Sequence, residues 1–148
     1  DRKEGKYRKH LVVEYDMDKL KATYTNLTDG SVKTCDIDKV IHDPVSAMCY
    51  FMTVPVNVGD KLKMIINVSE RNYELYGVIE CIKELFISKI GKFNAYRVRP
   101  YALLNGEEFK KGHGYMYFDV SSRRYPLYGV IFIPFGRVTA VLESIEQI

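Results

Sequence analysis

The 148-residue chain has no tryptophan, only three cysteines and only five prolines. Cys35, Cys49 and Cys81 form neither a CxxC pair nor a zinc-type spacing, which excludes the usual zinc-ribbon and dithiol motifs. Their odd number cannot be fully paired within the chain. One disulfide with one free thiol, and three buried thiols acting as small hydrophobes, both stay open. No apolar run approaches the ~18 residues that a membrane-spanning helix needs, so no transmembrane segment is expected. The longest runs, such as Val130-Ile131-Phe132-Ile133, are strand-sized. A large excess of one charge is also missing, since the formal net charge is +3 and the pI is near 8.7. Arg2-Lys3, Lys110-Lys111 and Arg123-Arg124 are short basic spots separated by acidic residues. Nucleic-acid domains usually have a pI above ~9 with clustered Lys and Arg, so no nucleic-acid partner is expected.

Catalytic patterns are equally scarce. There is no Gly-x-Ser-x-Gly, P-loop or dinucleotide glycine motif. Cys49 follows His42 by seven residues but has no third member, and on an apolar helix its thiol reads as buried and unreactive. Glu107-Glu108 and the pair Asp16/Asp18 fall in expected turns, whereas carboxylate chemistry needs two groups facing each other across a cleft. His10, His42 and His113 are far apart with no metal-ligand spacing. His42 flanks a helix cap, and Gly112-His113-Gly114 reads as a flexible hairpin arm. The expectation is a protein that is not an enzyme and needs no metal or cofactor.

What the chain does have is tyrosine, 12 of them beside 7 phenylalanines, which suits half-buried strand positions. Alternation at period 2 recurs throughout, the mark of strands with one buried face. Leu11, Val13 and Tyr15 alternate with His10, Val12 and Glu14. Leu20, Ala22 and Tyr24 then share one face of the next strand. Asp16-Met17-Asp18 and Thr28-Asp29-Gly30-Ser31 read as the turns around it, with a third strand over Val32 to Ile37. Asp43-Pro44 reads as an N-cap with proline at the first helical position. Val45, Met48, Cys49 and Met52 follow at helical spacing in a short helix that ends before Pro55.

Strands resume with Leu62, Met64, Ile66 and Val68 on one face, then Tyr73 to about Ile82. Leu85 to Ile90 and Phe93 to Tyr101 read as a further hairpin, and Asn105-Gly106 as a turn. Tyr115 to Val120, Leu127 to Ile133 and Arg137 to Glu143 complete the set. The reading is one all-β, mostly antiparallel domain over residues 1–148, with nine or ten strands and one short helix. A sheet of that many strands is expected to curl strongly or close into a barrel.

Arginines form the most informative polar set. Arg97 and Arg99 share one face of a strand whose other face carries Tyr96 and Val98, and Arg123 and Arg124 sit in a later turn. If the arginine face points into a barrel, Arg97, Arg99, Arg124 and Tyr96 are candidates to hold an anionic head group while apolar residues hold a tail. If it points to solvent, it carries cross-strand ion pairs, and alternating charge on an antiparallel strand favours this second arrangement.

A set of blocks in fixed order also resembles a known family. These are Glu4-Gly5-Lys6-Tyr7-Arg8, the stretch from Val13 to Tyr24, Asp43-Pro44-Val45-Ser46-Ala47 and Gly59-Asp60. Gly91 to Val98, Arg123-Arg124-Tyr125-Pro126-Leu127 and Gly136 to Leu142 follow. Together they are similar to the bacterial family known as domain of unknown function 3108, a group of exported envelope proteins. Two departures stand out. Tyr117 and Ser121 fall where the family often has tryptophan and an acidic residue, and the family's opening strands are expected upstream of Asp1. The resemblance implies export to the periplasm or outer envelope, and an edge left open at the first strand; it implies no activity.

Two functions follow as expectations. One is a non-catalytic binding module for a lipid-like or other apolar or amphipathic envelope molecule. The alternative is a structural module that binds an envelope protein through an edge strand or an apolar outer face.

Overall fold

The computed structural model describes residues 2–4, 7–108 and 113–146, in twelve strands and one helix. Strands β1 (Arg2–Glu4) and β2 (Tyr7–Lys9) pair with each other. Strands β3 (Leu11–Asp16), β4 (Lys21–Asn26) and β5 (Val32–Asp36) form a three-stranded sheet in that order. Helix α1 (Pro44–Thr53) follows. The remaining strands are β6 (Lys61–Val68), β7 (Arg71–Ile87), β8 (Gly91–Leu104), β9 (Glu107–Glu108), β10 (His113–Asp119), β11 (Pro126–Ile133) and β12 (Gly136–Val141). They build a seven-stranded sheet in the order β12-β11-β10-β8-β7-β6, with β9 also paired to β8.

All strand pairs are antiparallel, and an isolated parallel bridge joins His42 to Ile66. The all-β reading holds; the barrel does not. Strands β12 and β6 end the large sheet on opposite sides and do not pair. The apolar stretches that implied a closed interior are divided among three separate clusters instead.

Local sequence explains most elements. Ser69 and Glu70 at φ 51° and 65°, and Asn105 and Gly106 at φ 53° and 84°, make two-residue hairpin turns of the left-handed kind. The Asp43 carboxylate accepts hydrogen bonds from the N–H groups of Val45 (2.7 Å) and Ser46 (3.1 Å). Partial burial pushes its pKa up, but these N–H donors outweigh it and hold the carboxyl below its usual range. The buried side of α1 differs from the expected stripe. Ala47 and Phe51 are buried with Met48 and Met52 beside them, while Val45 and Cys49 are exposed. A helix apolar on nearly all sides leaves its orientation to tertiary packing.

The region from Tyr73 to Ile90, expected as two strands, is one strand to Ile87. A bulge at Glu80 lets Ile79 pair with Val98 and Cys81 with Arg97. Glu107 and Glu108 pair with Leu104 and Leu103 rather than forming a turn. Lys110, Lys111 and Gly112 lie outside the described residues, but His113 and Gly114 belong to β10. Gly114 is not part of a flexible arm, because a Cβ there would lie 2.3 Å from the Val130 carbonyl oxygen.

Helix α1 lies on one face of the large sheet. Phe51 and Val56 pack with Ile79, Val98 and Phe118, and the Phe51 and Phe118 rings stand 4.3 Å apart. The small sheet has its own core of Ala22, Tyr24 and Ile37. A buried polar seam joins the two sheets: Tyr24 donates its hydroxyl to Asn67, and Asn67 donates to Asn72 at 2.7 Å. Burial pushes the Tyr24 phenol up to about 12.

Candidate functional site

The strand register decides what faces where, because directly paired residues of an antiparallel sheet share a face. Opposite the α1 face, Tyr76 and Tyr101 pair, Val78 pairs with Arg99, Cys81 with Arg97, Arg97 with Tyr117, Tyr117 with Tyr128, and Tyr128 with Val141. This second face is not covered by α1, whose sheet contacts are on the other side.

Arg97 and Arg99, two residues apart on β8, share this face, and the bulge in β7 brings Glu80 to both. Glu80 is the extra residue, and its carboxylate lies 2.9 Å from Arg97 Nη2 and 2.8 Å from Arg99 Nε. The Arg99 contact is a hydrogen bond. The Arg97 contact is a close ion pair off the hydrogen-bond line, so the buried Glu80 Oε2 and Arg97 Nε have no hydrogen-bond partner. Arg97 Cζ also lies 5.0 Å from the centre of the Tyr115 ring, and Arg99 Cζ 5.7 Å from that of Tyr101. The ion-paired arrangement favoured by the charge alternation is therefore present.

Arg124 and Tyr96 are elsewhere. Arg124 donates from Nη1 to the carbonyls of Phe51 (3.2 Å) and Val54, satisfying groups that the end of α1 leaves open. Its backbone φ of 49° turns the chain into β11. Tyr96 packs with the α1 core on the covered face.

An apolar cleft of about 370 Å³ lies between the end of the β7–β8 hairpin and strands β11 and β12. Leu85, Phe86, Ile87, Ser88, Tyr128 and Val141 line it. Tyr128 stands beside Tyr117, ring centres 5.8 Å apart, and Tyr117 is the residue opposite Arg97. Burial pushes the Tyr117 phenol up, with the Arg97 charge pulling the other way. Two strand spacings, about 10 Å, thus separate the arginine pair from the cleft wall on one face. A second cleft of about 410 Å³ lies where β3 and β4 meet the start of α1, lined by Leu11, Val13, Tyr15, Tyr24, Pro44 and Val68 with polar Asp43, Asn67 and Ser69.

Sequence reasoning found Arg97 and Arg99 but missed Glu80, the tyrosines around them and the cleft. Glu80 carries no local signal, because a bulge inside a two-faced apolar strand looks like unbroken pairing. The three cysteines are free, Cys49 exposed and the others half-buried. Among the described residues no group of three or more His, Cys, Asp and Glu is arranged to hold a metal ion. No helix there is long and apolar enough to cross a membrane.

The family model described as "Protein of unknown function (DUF3108)" matches residues 1–143. The chain belongs to this family. Neither a curated protein nor a solved structure gives a significant match. Family membership agrees with the resemblance carried by the Asp43-Pro44, Gly91 to Val98 and Arg123 to Leu127 blocks. Two of these blocks have structural work within the DUF3108 chain. Asp43-Pro44 starts α1, and Arg124 closes its other end.

Proposed function

We propose that this DUF3108 protein is a non-catalytic binding module of the bacterial cell envelope that takes an anionic, amphipathic molecule on the open face of its large sheet. One observation carries the reading: the apolar cleft and the Arg97–Arg99 pair share that face, about two strands apart. The cleft volume falls within the ~300–1,000 Å³ range of small-molecule sites. Leu85, Ile87 and Val141 would hold the tail, and the guanidinium groups would meet the head group in exchange for part of their contact with Glu80. Envelope location is supported by the exported family that the chain resembles. A non-catalytic role is supported by two carboxylates of this face that are engaged by cations, Glu80 by both arginines and Glu74 by Lys63.

Titration with a dansyl-labelled undecanoate, followed by fluorescence, tests this. Saturable binding is expected, about tenfold weaker in Arg99→Gln, the size of one charge-assisted contact, and weaker again in Val141→Glu. Absence of binding, or equal binding by all three proteins, would overturn it.

A second reading, an interaction module for another envelope protein, has its own observation. All six residues of edge strand β12 are exposed, and Phe135 in the turn before it is 100% exposed. Long apolar edges template pairing with another chain. Sedimentation that stays monomeric across micromolar concentrations, unchanged in Val138→Lys, would count against an edge that recruits strands.

A further inference from the structure

The two edges of the large sheet differ in how open they are. Along β6, His42 already occupies outward backbone groups, donating to the Ile65 carbonyl and accepting from the Asn67 N–H, each at 2.9 Å. Exposed Lys61 and Lys63 add the charge that discourages a further strand. Strand β12 has neither device and contains no lysine or proline. The Leu142 N–H donates to the Leu127 carbonyl at 2.9 Å, which makes Val141 and Tyr128 a non-hydrogen-bonded pair. Arg137, Thr139 and Val141 therefore aim their N–H and C=O groups away from β11. No described residue bonds them there.

We propose that this edge pairs antiparallel with the same edge of a second copy, about a two-fold axis at Ala140. Outward-facing groups must meet outward-facing groups, and a two-fold pairing is self-complementary. With Ala140 on the axis, Thr139 lies opposite the partner's Val141, and Arg137 lies opposite the partner's Glu143. The axis repeats that ion pair on its other side. Moving it to Thr139 or Val141 sets Arg137 against the partner's Val141 or the partner's Ile145, and the match is lost. Arg137 has no carboxylate partner among the described residues of its own chain. The Glu143 side chain is 76% exposed and meets Lys89 through one oxygen, Oε1 at 3.0 Å.

A foreign strand finds the same open backbone, but a copy brings Arg137 and Glu143 at the matching spacing every time. The two Val141 side chains become diagonal neighbours, about 7–8 Å apart, so the apolar clefts they line adjoin across the axis. One six-residue strand per copy buries less than the ~1,200–2,000 Å² of stable complexes, so the dimer is expected to be reversible and micromolar. This pairing names an occupant for the open edge of the second reading and does not depend on a ligand in the cleft.

The test is sedimentation equilibrium of the whole chain across micromolar concentrations, with Arg137→Glu, Glu143→Arg, their combination and Thr139→Pro. Wild type is expected to dimerise reversibly. Each single charge variant should dimerise about tenfold more weakly, since it sets like charges opposite one another on both sides of the axis, and salt should narrow the gap. Mixing the two single variants should restore the dimer, and so should combining both substitutions in one chain. Thr139→Pro removes an outward N–H while sparing the bonds to β11, and should abolish the dimer. Arg137 and Glu143 are exposed and outside the buried clusters, so their variants fold. A wild type that stays monomeric would overturn the proposal. A dimer lost in Thr139→Pro but indifferent to both charge substitutions would overturn the matched pairing while the edge reading stands. A dimer unaffected by Thr139→Pro would overturn both.

Discussion

The two faces of the seven-stranded sheet are made by the same strands and have opposite characters. Within three consecutive residues of β8, Val98 is 4% exposed beneath α1, while Arg97 and Arg99 on either side pair with Glu80 on the open face. The covered face is held by area removed from water: Ile79, Val98 and Phe118 meet Phe51 and Val56. Around Arg97 and Arg99 the open face is held by half-exposed rings and ion pairs, each worth little alone, and nearer β12 by a smaller buried cluster of Ile87, Ala95 and Leu127. Around the arginine pair, stability thus comes mainly from the covered side. The open face at the arginine pair is free to carry chemistry, because altering it there does not open a buried cluster.

The largest break in this contrast is expected from Phe118→Ala. Phe118 is 2% exposed against Phe51, and its truncation should cost ~3–5 kcal/mol in urea unfolding. Next is Arg124→Met, which strips the donor from the Phe51 and Val54 carbonyls at the end of α1. About 1–3 kcal/mol is expected, with helical circular dichroism lost before the strand signal.

Asp43→Ala should cost about 1 kcal/mol as a lost N-cap, and its pH dependence is distinctive. The folded pKa of Asp43 is lowered, so its contribution is complete above the unfolded value near ~3.9 and fades as pH falls through the folded value. Wild type and variant should therefore converge in melting temperature in acid and separate at neutral pH. The smallest effect belongs to the open face. Arg99→Gln removes an exposed ion pair and should shift stability by only ~0.2–1 kcal/mol. A shift as large as that of Phe118→Ala would erase the distinction between the faces.

Much of this contrast was legible in the sequence. The alternation of Tyr96, Arg97, Val98 and Arg99 reads directly as two faces, and Asp43-Pro44 marks the start of α1 to the residue. Turns at Asn105-Gly106 and Asp29-Gly30 were equally plain, since few residues accept positive φ. The orientation of α1 was hidden, because Val45, Cys49, Ala47 and Phe51 are all apolar and only the sheet surface chooses among them. Closure of the sheet was hidden as well. Strand number does not say whether first and last strands meet, and β6 and β12 stay apart. The site was half legible: two arginines could be found by their spacing, but the carboxylate that gathers them arrives through a bulge with no local signature.

That bulge also sets the parity of everything after it. Before Glu80, the even-numbered residues Glu74, Tyr76 and Val78 point to the open face; after it, the odd-numbered Cys81, Leu85 and Ile87 do. Removing this one residue would make Ile79 and Cys81 neighbours opposite Val98 and Arg97, so the rest of β7 would keep its faces and only the carboxylate between the arginines would be lost. Among related chains, length between Ile79 and Ile87 is therefore a more telling quantity than identity: a chain one residue shorter there should keep the faces and lack the bulge.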